Sequence, residues 1–328
     1  MVWNNLCCHS VYWKMFEDHL AILSPLTAAI SLAGLWILEV ILPPIIEPHG
    51  LRRSVRPGNL ILAGLNLLVA FSFAGLVLLV TDLSQRSGIG LLHHARLLLP
   101  ESIGSVVLLM VVSFLLLDLW GYIFHVLAHQ IPLLWRFHAL HHNADHYEVT
   151  LALRFHAVEI AVQALASLPV YFILGVSIQE ILVYQLFLVP LAFFHHWNVR
   201  LPDSLERILR LVLVNPGMHV IHHSRWDRET DSNYAPIFSF WDRFFGSFRW
   251  RERPDSVSVG LDGFDSEDIH TLRGMLSTGI RTSPSEPGVC PPFELIPEEL
   301  REHDEPQSPD GCDSHRVRII ADQRVISR

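Results

Sequence analysis

The hydrophobic residues of this chain are concentrated in five long runs that are separated by short polar stretches. The runs cover residues 20–46, 60–80, 103–124, 157–174 and 178–194. Each run is close to the roughly 20 residues that an α-helix needs to cross a bilayer. The pattern therefore predicts helices embedded in a membrane, and a shallow hairpin that does not fully cross is the alternative for the last two runs.

The composition supports a membrane protein. Half of the 328 residues are hydrophobic and only 17% are charged, whereas soluble domains average about 25% charged residues. The net charge of −9 arises mostly in residues 251–328, which hold 16 acidic residues and nine arginines. No basic stripe is present that would bind nucleic acid. We predict N-terminal membrane helices over 1–100, a histidine-bearing domain over 101–250, and an acidic, largely flexible tail over 251–328.

The arginines between the runs predict an orientation. Arg52, Arg53 and Arg56 follow the first run, whereas the loop after the second run holds only Arg86 and Arg96. Cytosolic loops of membrane proteins are enriched in positive charge. We therefore expect the first loop to be cytosolic. Counting spans from it places the stretch after the third run, the stretch after the fifth run and the C-terminus in the cytosol.

Histidines are clustered in the stretches that this topology places on one side. Twelve of the 20 histidines fall between residues 125 and 223. Histidines three or four residues apart share one face of a helix. That spacing occurs in His125 and His129, in the H-x-x-H-H box His138, His141 and His142, and again in His219, His222 and His223, while His195 and His196 end the fifth run. Because imidazole is a common metal ligand, the cluster predicts a site for more than one metal ion.

The donor set favours iron over zinc. Zinc binds four ligands and would leave most of these histidines unused. Eight or nine nitrogens suit two ions of higher coordination number, for which iron is the natural candidate. The cysteines lie far from the boxes, at Cys7, Cys8, Cys290 and Cys312, which argues against an iron–sulfur cluster or a thiolate haem.

Seven motifs follow one another within residues 110–250, at 118–129, 134–142, 150–159, 196–202, 218–224, 231–234 and 239–246. This ordered set resembles the fatty acid hydroxylase / sterol desaturase superfamily. The resemblance implies an all-α integral membrane bundle of about four to five spans, with a cytosolic helical cap that houses a dimetal site. Such enzymes use O2 and two electrons to hydroxylate or desaturate a C–H bond of a fatty acyl chain, a sterol or a related lipid.

The resemblance also implies two iron ions and their ligands. Carried over by position, the ligands are His125, His129, His138, His141, His142, His196, His219, His222 and His223. Whether His195, His146 or His156 also joins the metal site is left open by the motifs.

Residues around the ligands are candidates to orient them. Ligating histidines usually donate their second nitrogen to a carboxylate or a carbonyl group. The candidates for this supporting role in catalysis are Asp118, Tyr122, Asp145, Glu159, Asn198 and Asp242. Three other acidic residues, Glu39, Asp82 and Glu180, are expected at the membrane interface instead.

The chain has no G-x-G-x-x-G fingerprint for a nicotinamide or flavin cofactor. A separate electron carrier, cytochrome b5-like or ferredoxin-like, is therefore expected as a partner beside the lipid substrate and the membrane. An acidic carrier suits a surface formed by Arg225, Arg228, Arg243 and Arg249. The alternatives are a zinc-dependent membrane hydrolase, although no H-E-x-x-H motif is present, and a non-catalytic metal-binding membrane protein.

Overall fold

The computed structural model describes residues 7–47, 56–262, 264 and 271–280, with side chains from residue 18 onward. Arg52, Arg53, the cysteine side chains and most of the predicted acidic tail lie outside these residues. The predictions made for them are therefore not examined by the structure.

The described part of the chain folds into α-helices joined by turns and short 3-10 segments. In chain order the helices are α1 (Cys7–Ile41), α2 (Arg56–Ser87), α3 (Leu91–Leu98), α4 (Ile103–Gln130), α5 (Pro132–His142), α6 (Ala157–Leu174), α7 (Ile178–His195), α8 (Asp203–Leu209), α9 (Pro216–His222), α10 (Asp227–Thr230), α11 (Phe240–Phe245) and α12 (Leu272–Ser277). Extended pairing in these residues is limited to the isolated bridges Leu213–Phe238 and Ser224–Val259. The predicted all-α class is confirmed.

Five of these helices are long and apolar enough to cross a membrane, as the hydrophobic runs predict. They are α2, α4, α6, α7 and the part of α1 from Asp18 onward. Large apolar side chains cover their outer surfaces, and Phe71 and Leu67 of α2 are 80% and 72% exposed. Such surfaces are expected where lipid rather than water surrounds a helix. The last two helices have 18 residues each, which gives each about 27 Å of helix at 1.5 Å per residue.

The five helices form a bundle in which α1 packs along α7 and α2 packs along α6. At one end, which we call the far end, Gly90 and Gly175 pass in direct contact. A Cβ atom added to Gly90 would lie 2.5 Å from the Cα atom of Gly175, and both residues have positive φ angles. Only glycine meets both demands at low cost. Arg96 and Glu180 form an ion pair at the same end.

The opposite end, which we call the histidine end, collects polar side chains from several helices. Glu39 at the end of α1 accepts hydrogen bonds from the backbone N–H groups of Val149 and Asn198, both at 2.9 Å. Asn59 at the start of α2 donates to Thr150 at 2.9 Å. Glu39 is thus not the interfacial carboxylate that its position in the sequence suggests. It is a buried contact that fastens two loops to α1.

A cap of short helices covers the histidine end. It contains α5, α8 to α12 and their loops, and its core includes Val220, Ile221, Val257 and Val259. The packing of Val257 and Val259 extends the ordered unit past residue 250, where the composition predicts that the tail begins. Ser224 and Val259 pair across an antiparallel bridge, which explains why this first part of the tail is held.

Candidate metal centre

The nine histidines predicted as ligands lie together in two groups at the histidine end. Within each group, one nitrogen of every imidazole lies within 4.8 Å of the others. The five-histidine cluster contains His125, His129, His138, His142 and His222, and the four-histidine cluster contains His141, His196, His219 and His223. The two clusters are in contact, because the rings of His142 and His223 stack with centroids 4.6 Å apart.

The H-x-x-H-H spacing explains how one short helix serves both clusters. In α5, His138 and His142 face the five-histidine cluster, while His141 faces the four-histidine cluster. The second box, on α9 and its C-cap, has the opposite arrangement. The pair four residues apart, His219 and His223, enters the four-histidine cluster, and the intervening His222 enters the other. Each box therefore gives a pair of imidazoles to one cluster and a single imidazole to the other.

The Nδ1 atoms of several cluster histidines bond to fixed acceptors. His125 donates to the carbonyl oxygen of Tyr234 at 2.7 Å, and His222 donates to that of Ser232 at 2.7 Å. His196 donates to the carbonyl oxygen of Ala192 at 2.8 Å. Because a neutral imidazole carries one proton, donation from Nδ1 leaves Nε2 with a free electron pair. These bonds set the tautomer that metal binding needs.

The Nε2 atoms converge at distances that suit shared metal coordination. Nε2 of His196 lies 3.1 Å from that of His141, 3.0 Å from that of His219 and 3.3 Å from that of His223. Two nitrogen atoms that each lie about 2.1 Å from one metal ion, at an angle of about 90°, are about 3.0 Å from each other. In the five-histidine cluster, the buried Nε2 atoms of His125 and His222 have no hydrogen-bond partner among the described residues. The donor set therefore fits metal ions.

Burial keeps the cap imidazoles neutral. It lowers the pKa of His196 to about 4, and it holds the pKa values of His219, His222 and His223 well below the ordinary value of histidine. The neighbouring imidazoles lower the last three further, because two positive charges this close would repel. Neutral imidazole is the form that binds a metal ion.

Among the six residues predicted to support the ligands, Glu159 contacts a cluster histidine directly. Its Oε1 atom accepts from Nδ1 of His138 at 2.7 Å. Asp145 accepts instead from His146 at 2.6 Å. Asn198 accepts from the backbone N–H groups of Ile45 and Ile46 and donates to the Ile46 carbonyl. For Asn198 the prediction is therefore corrected: its side chain fastens the loop after α1.

Asp242 and Tyr122 act on the segments that flank α11. Asp242 accepts from the N–H groups of Tyr234 and Ala235 at 2.7 and 3.1 Å, and Tyr122 hydrogen-bonds Ser247 at 2.9 Å. Since the Tyr234 carbonyl accepts from a cluster histidine, Asp242 supports that histidine through the backbone.

Asp118 lies on α4 but makes its hydrogen bonds away from the clusters. It accepts from the backbone N–H of Phe238 at 3.2 Å, from the indole of Trp241 at 2.9 Å and from the hydroxyl of Tyr184 at 3.2 Å. The prediction that Asp118 orients a ligating histidine is corrected, because its carboxylate bonds the segment before α11 and Tyr184 instead. The helical stripe that it shares with the first two histidines does not bring it to the metal centre.

The three histidines left open by the motifs have different surroundings. His156 caps α6, with Nδ1 accepting from the Val158 N–H at 3.1 Å and Nε2 bonded to the Leu276 carbonyl at 3.2 Å. Both of its nitrogens are therefore engaged outside the clusters. His146 bonds Asp145. His195 is buried beside the four-histidine cluster, with its ring centroid 4.2 Å from that of His219, although its nitrogens are outside the group that His196 joins.

Two contributors were missing from the predicted set. Asp231 lies 3.1 Å from Nδ1 of His129, and the Asp231-Ser232-Asn233-Tyr234 stretch also supplies the carbonyl acceptors of His125 and His222. Arg154 is completely buried and donates to the Leu140 carbonyl and to Asn143, at the end of α5. Both lie in motifs that carry the family resemblance, so a search for partners within those motifs would have found them.

Comparison with known proteins places the metal centre within a matched region. Residues 110–247 match the family model described as Fatty acid hydroxylase, and this range contains all nine cluster histidines. No solved structure gives a significant match to the chain.

Three curated proteins illustrate the likeness. The chain is 34% identical to ornithine lipid hydroxylase of Rhizobium tropici over 43% of its own length and 42% of that protein. It is 34% identical to alkylglycerol monooxygenase of Danio rerio over 45% and 32% of the two lengths. It is 29% identical to human cholesterol 25-hydroxylase over 50% of its own length and 61% of that protein. The chain thus spans less than two thirds of each of these relatives.

Proposed function

From the match of residues 110–247 to the Fatty acid hydroxylase family model, we propose that the chain is a membrane enzyme that hydroxylates a carbon atom of a lipid. The observation that supports this most is the pair of buried histidine clusters at one end of an apolar helical bundle. The three relatives named above are a lipid hydroxylase, a monooxygenase and a sterol hydroxylase. Hydroxylation is therefore favoured over desaturation.

Each cluster is proposed to hold one iron ion. The five-histidine cluster and the four-histidine cluster supply nine neutral nitrogens, more than two tetrahedral zinc ions would use. When bound, two iron ions would supply the redox chemistry that lets O2 and two electrons oxidise an unactivated C–H bond.

The residues of this chain orient the ligands and keep water away from them. Phe155 stacks on His141 with ring centroids 4.4 Å apart, and Trp135 lies against His129 at 4.9 Å. These aromatic rings close the sides of the clusters with apolar surface. Exclusion of water matters here because it protects a reactive metal centre from side reactions.

The proposed substrate is a membrane lipid with a long hydrocarbon chain. The clusters lie where the ends of α4 and α7 meet α5 and α9, so a lipid in the same leaflet can approach them laterally between helices. The protein would position one carbon beside the metal pair. Holding the reacting groups in place is a large part of what an enzyme contributes in such a reaction.

The histidine end is proposed to face the cytosol, where a separate cytochrome b5-like or ferredoxin-like carrier would deliver electrons to the cap. The predicted arginine surface for that carrier is partly used within the protein. Arg225 pairs with Asp262 at 2.9 Å, Arg243 donates to the Ser239 carbonyl, and Arg249 donates to that of Phe248. A carrier would therefore meet a surface in which these guanidinium groups are already held in place.

The test combines metal analysis with lipid analysis of the full chain. Purified protein is expected to contain two irons per chain, and membranes of cells that express it are expected to accumulate a lipid heavier by one oxygen atom. H222A is the matched inactive variant, and H156Q, which alters a histidine outside both clusters, is the control. A single zinc ion per chain with unchanged lipids would contradict the proposal and favour a zinc hydrolase or a non-catalytic metal protein.

A further inference from the structure

Two short helices of the cap expose large apolar side chains. In α8, Leu205 and Ile208 are 44% and 65% exposed. In α11, Asp242 is completely buried, while Phe244 is 78% exposed. A helix that faces water buries its apolar side chains instead. The outward apolar side chains form what we call the outer patch: Leu205, Ile208, Leu211, Val212, Phe244 and Phe245.

The segment after α8 and the segment before α11 are joined by backbone hydrogen bonds, so the two helices form one unit. The N–H of Ser239 donates to the Val212 carbonyl at 3.0 Å, and the N–H of Val214 donates to the Ile237 carbonyl at 2.9 Å. The hydroxyl of Ser239 and the guanidinium of Arg243 both donate to the Arg210 carbonyl, at 2.7 and 2.6 Å. Irregular backbone lies at membrane depth only where its polar groups are satisfied by the protein in this way.

This unit packs along the membrane-spanning helix α4 well below the clusters. Phe238 contacts Phe114, with ring centroids 5.9 Å apart. Phe114 precedes His125 by 11 residues, which corresponds to about 16 Å along a helix at 1.5 Å per residue. Nearer the clusters, Phe245 stacks on Tyr122 with centroids 5.2 Å apart. The unit therefore runs beside the span from the level of Phe114 to that of Tyr122.

Asp118 explains how a loop is held at that depth. Its carboxylate receives the backbone N–H of Phe238 and the indole N–H of Trp241, so it satisfies donors that would otherwise be buried without a partner. Gly121 lets the loop come close, because a Cβ atom there would lie 2.8 Å from the ring of Pro236. Asp118 and Gly121 are therefore the residues of α4 against which the unit is held.

We propose that the unit of α8 and α11 lies within the bilayer, with its outer patch against the lipid acyl chains of the leaflet that borders the histidine clusters. The unit contacts α4 at Phe114 and Tyr122, on a span that exposes the apolar side chains of Val107, Leu108 and Val111. Arg207 and Arg243, on the same two helices, are exposed, and their long side chains let the guanidinium groups reach lipid phosphates. The inference does not depend on the enzymatic activity, because it uses only the packing on α4 and the exposure of the patch.

The experiment measures the surroundings of single labels in the full chain. Serine replaces the four native cysteines, and an environment-sensitive nitrobenzoxadiazole label is attached at F244C or I208C. The protein is reconstituted in phosphatidylcholine–phosphatidylglycerol nanodiscs with or without acyl-doxyl lipid. F71C, on the lipid-facing side of α2, and S258C, exposed on the cap, are the lipid and water controls. A monodisperse elution profile and an unchanged thermal unfolding temperature show that each variant is folded.

Labels at F244C and I208C are expected to behave like the label at F71C. They should be quenched by doxyl lipid and reduced by aqueous dithionite about tenfold more slowly than the label at S258C. Behaviour like S258C would overturn the proposal, and so would protection from dithionite without quenching by lipid, which would mean that another protein surface covers the patch. Photo-crosslinking of the unaltered chain by a diazirine phospholipid, with the crosslinked peptides mapped, tests the same point without substitutions.

Discussion

The His138 imidazole donates from Nδ1 to the Glu159 carboxylate over 2.7 Å and so joins α5 to the first turn of α6. Both side chains are buried. The contact turns Nε2 of His138 toward Nε2 of His142, which lies 3.2 Å away. One carboxylate therefore fixes the direction in which a proposed ligand points.

Loss of this carboxylate is expected to weaken metal binding more than folding. E159A should lower iron affinity about 10- to 100-fold, as is typical when the partner of a ligating histidine is removed, and E159Q, which keeps a carbonyl acceptor, should lower it less. Iron per chain is measured after dialysis against graded chelator. E180Q is the matched control, because Glu180 occupies the same position in the first turn of α7 but lies at the far end. Equal iron retention in E159A and E180Q would contradict the prediction.

The two clusters are expected to lose metal independently. H219A removes a nitrogen from the four-histidine cluster, and H129A removes one from the five-histidine cluster. Because the two clusters share no histidine among the described residues, each variant should retain about one iron per chain of the two expected. Metal analysis and electronic absorption spectra of the two variants check this. Full loss of both irons in each variant would instead indicate a single cooperative site.

The metal-free protein is expected to lose stability as the pH falls below about 6.5, the ordinary pKa of histidine. Burial lowers the pKa values of the cap imidazoles, so the unfolded chain binds more protons than the folded chain in this range, and protonation favours unfolding. Asp242, Glu206 and Glu229 act in the opposite direction, since burial raises their pKa values, that of Asp242 to about 6. They are outnumbered by the six cluster imidazoles outside the spans whose pKa values are lowered. Thermal unfolding of chelator-treated protein in detergent between pH 7.5 and 5.5 measures the slope.

Metal-loaded protein is the control for that measurement. A bound ion holds the imidazoles neutral, so its unfolding temperature should change less over the same pH range. A metal-free protein whose unfolding temperature stays constant from pH 7.5 to 5.5 would show that the imidazoles are not buried as described.

Arg154 is expected to be essential for the stability of the α5 end. Its guanidinium donates to the Leu140 carbonyl at 2.9 Å, to Asn143 at 2.8 Å and to Asn59 at 3.2 Å. Burial lowers its pKa only to about 10, so it remains charged at neutral pH. R154M should cost about 3 kcal/mol, because it leaves buried acceptors without a charged donor.

The measurement for R154M is the thermal unfolding temperature together with iron per chain. R86M is the matched control, because Arg86 is exposed and pairs with Asp82 one turn away, an arrangement that contributes about 0.5 kcal/mol or less. If R154M unfolds at the same temperature as R86M, the buried guanidinium does not hold the histidine box in place.

The sequence predicted the spans and the boxes because both are local patterns. A run of apolar residues sets a span, and histidines three and four residues apart share a helix face wherever that helix lies. Even so, the spacing alone did not reveal that His141 and His142, adjacent in the chain, serve different clusters. That division follows from the direction of α5 relative to its neighbours, which is a property of the packed structure.

The supporting residues were harder to predict, because their partners are distant in the chain. Asp118 shares a helical stripe with His125, yet it bonds Phe238 and Trp241, about 120 residues later. Glu39 looked like an interfacial carboxylate but receives N–H groups from loops more than 100 residues away. The hydrogen-bonding capacity of a carboxylate can be read from the sequence, whereas its donors are chosen by tertiary structure.

The arrangement of the boxes has a consequence for how the protein is made. All five membrane helices end by His195, but both clusters take ligands from α9 and its C-cap, which lie downstream. A nascent chain that has emerged from the ribosome up to residue 210 can therefore have these five helices inserted and still lack part of each cluster. The complete donor sets for the proposed metal ions therefore exist only after His223 has been translated, so loading of these ions would be a late step that follows membrane insertion.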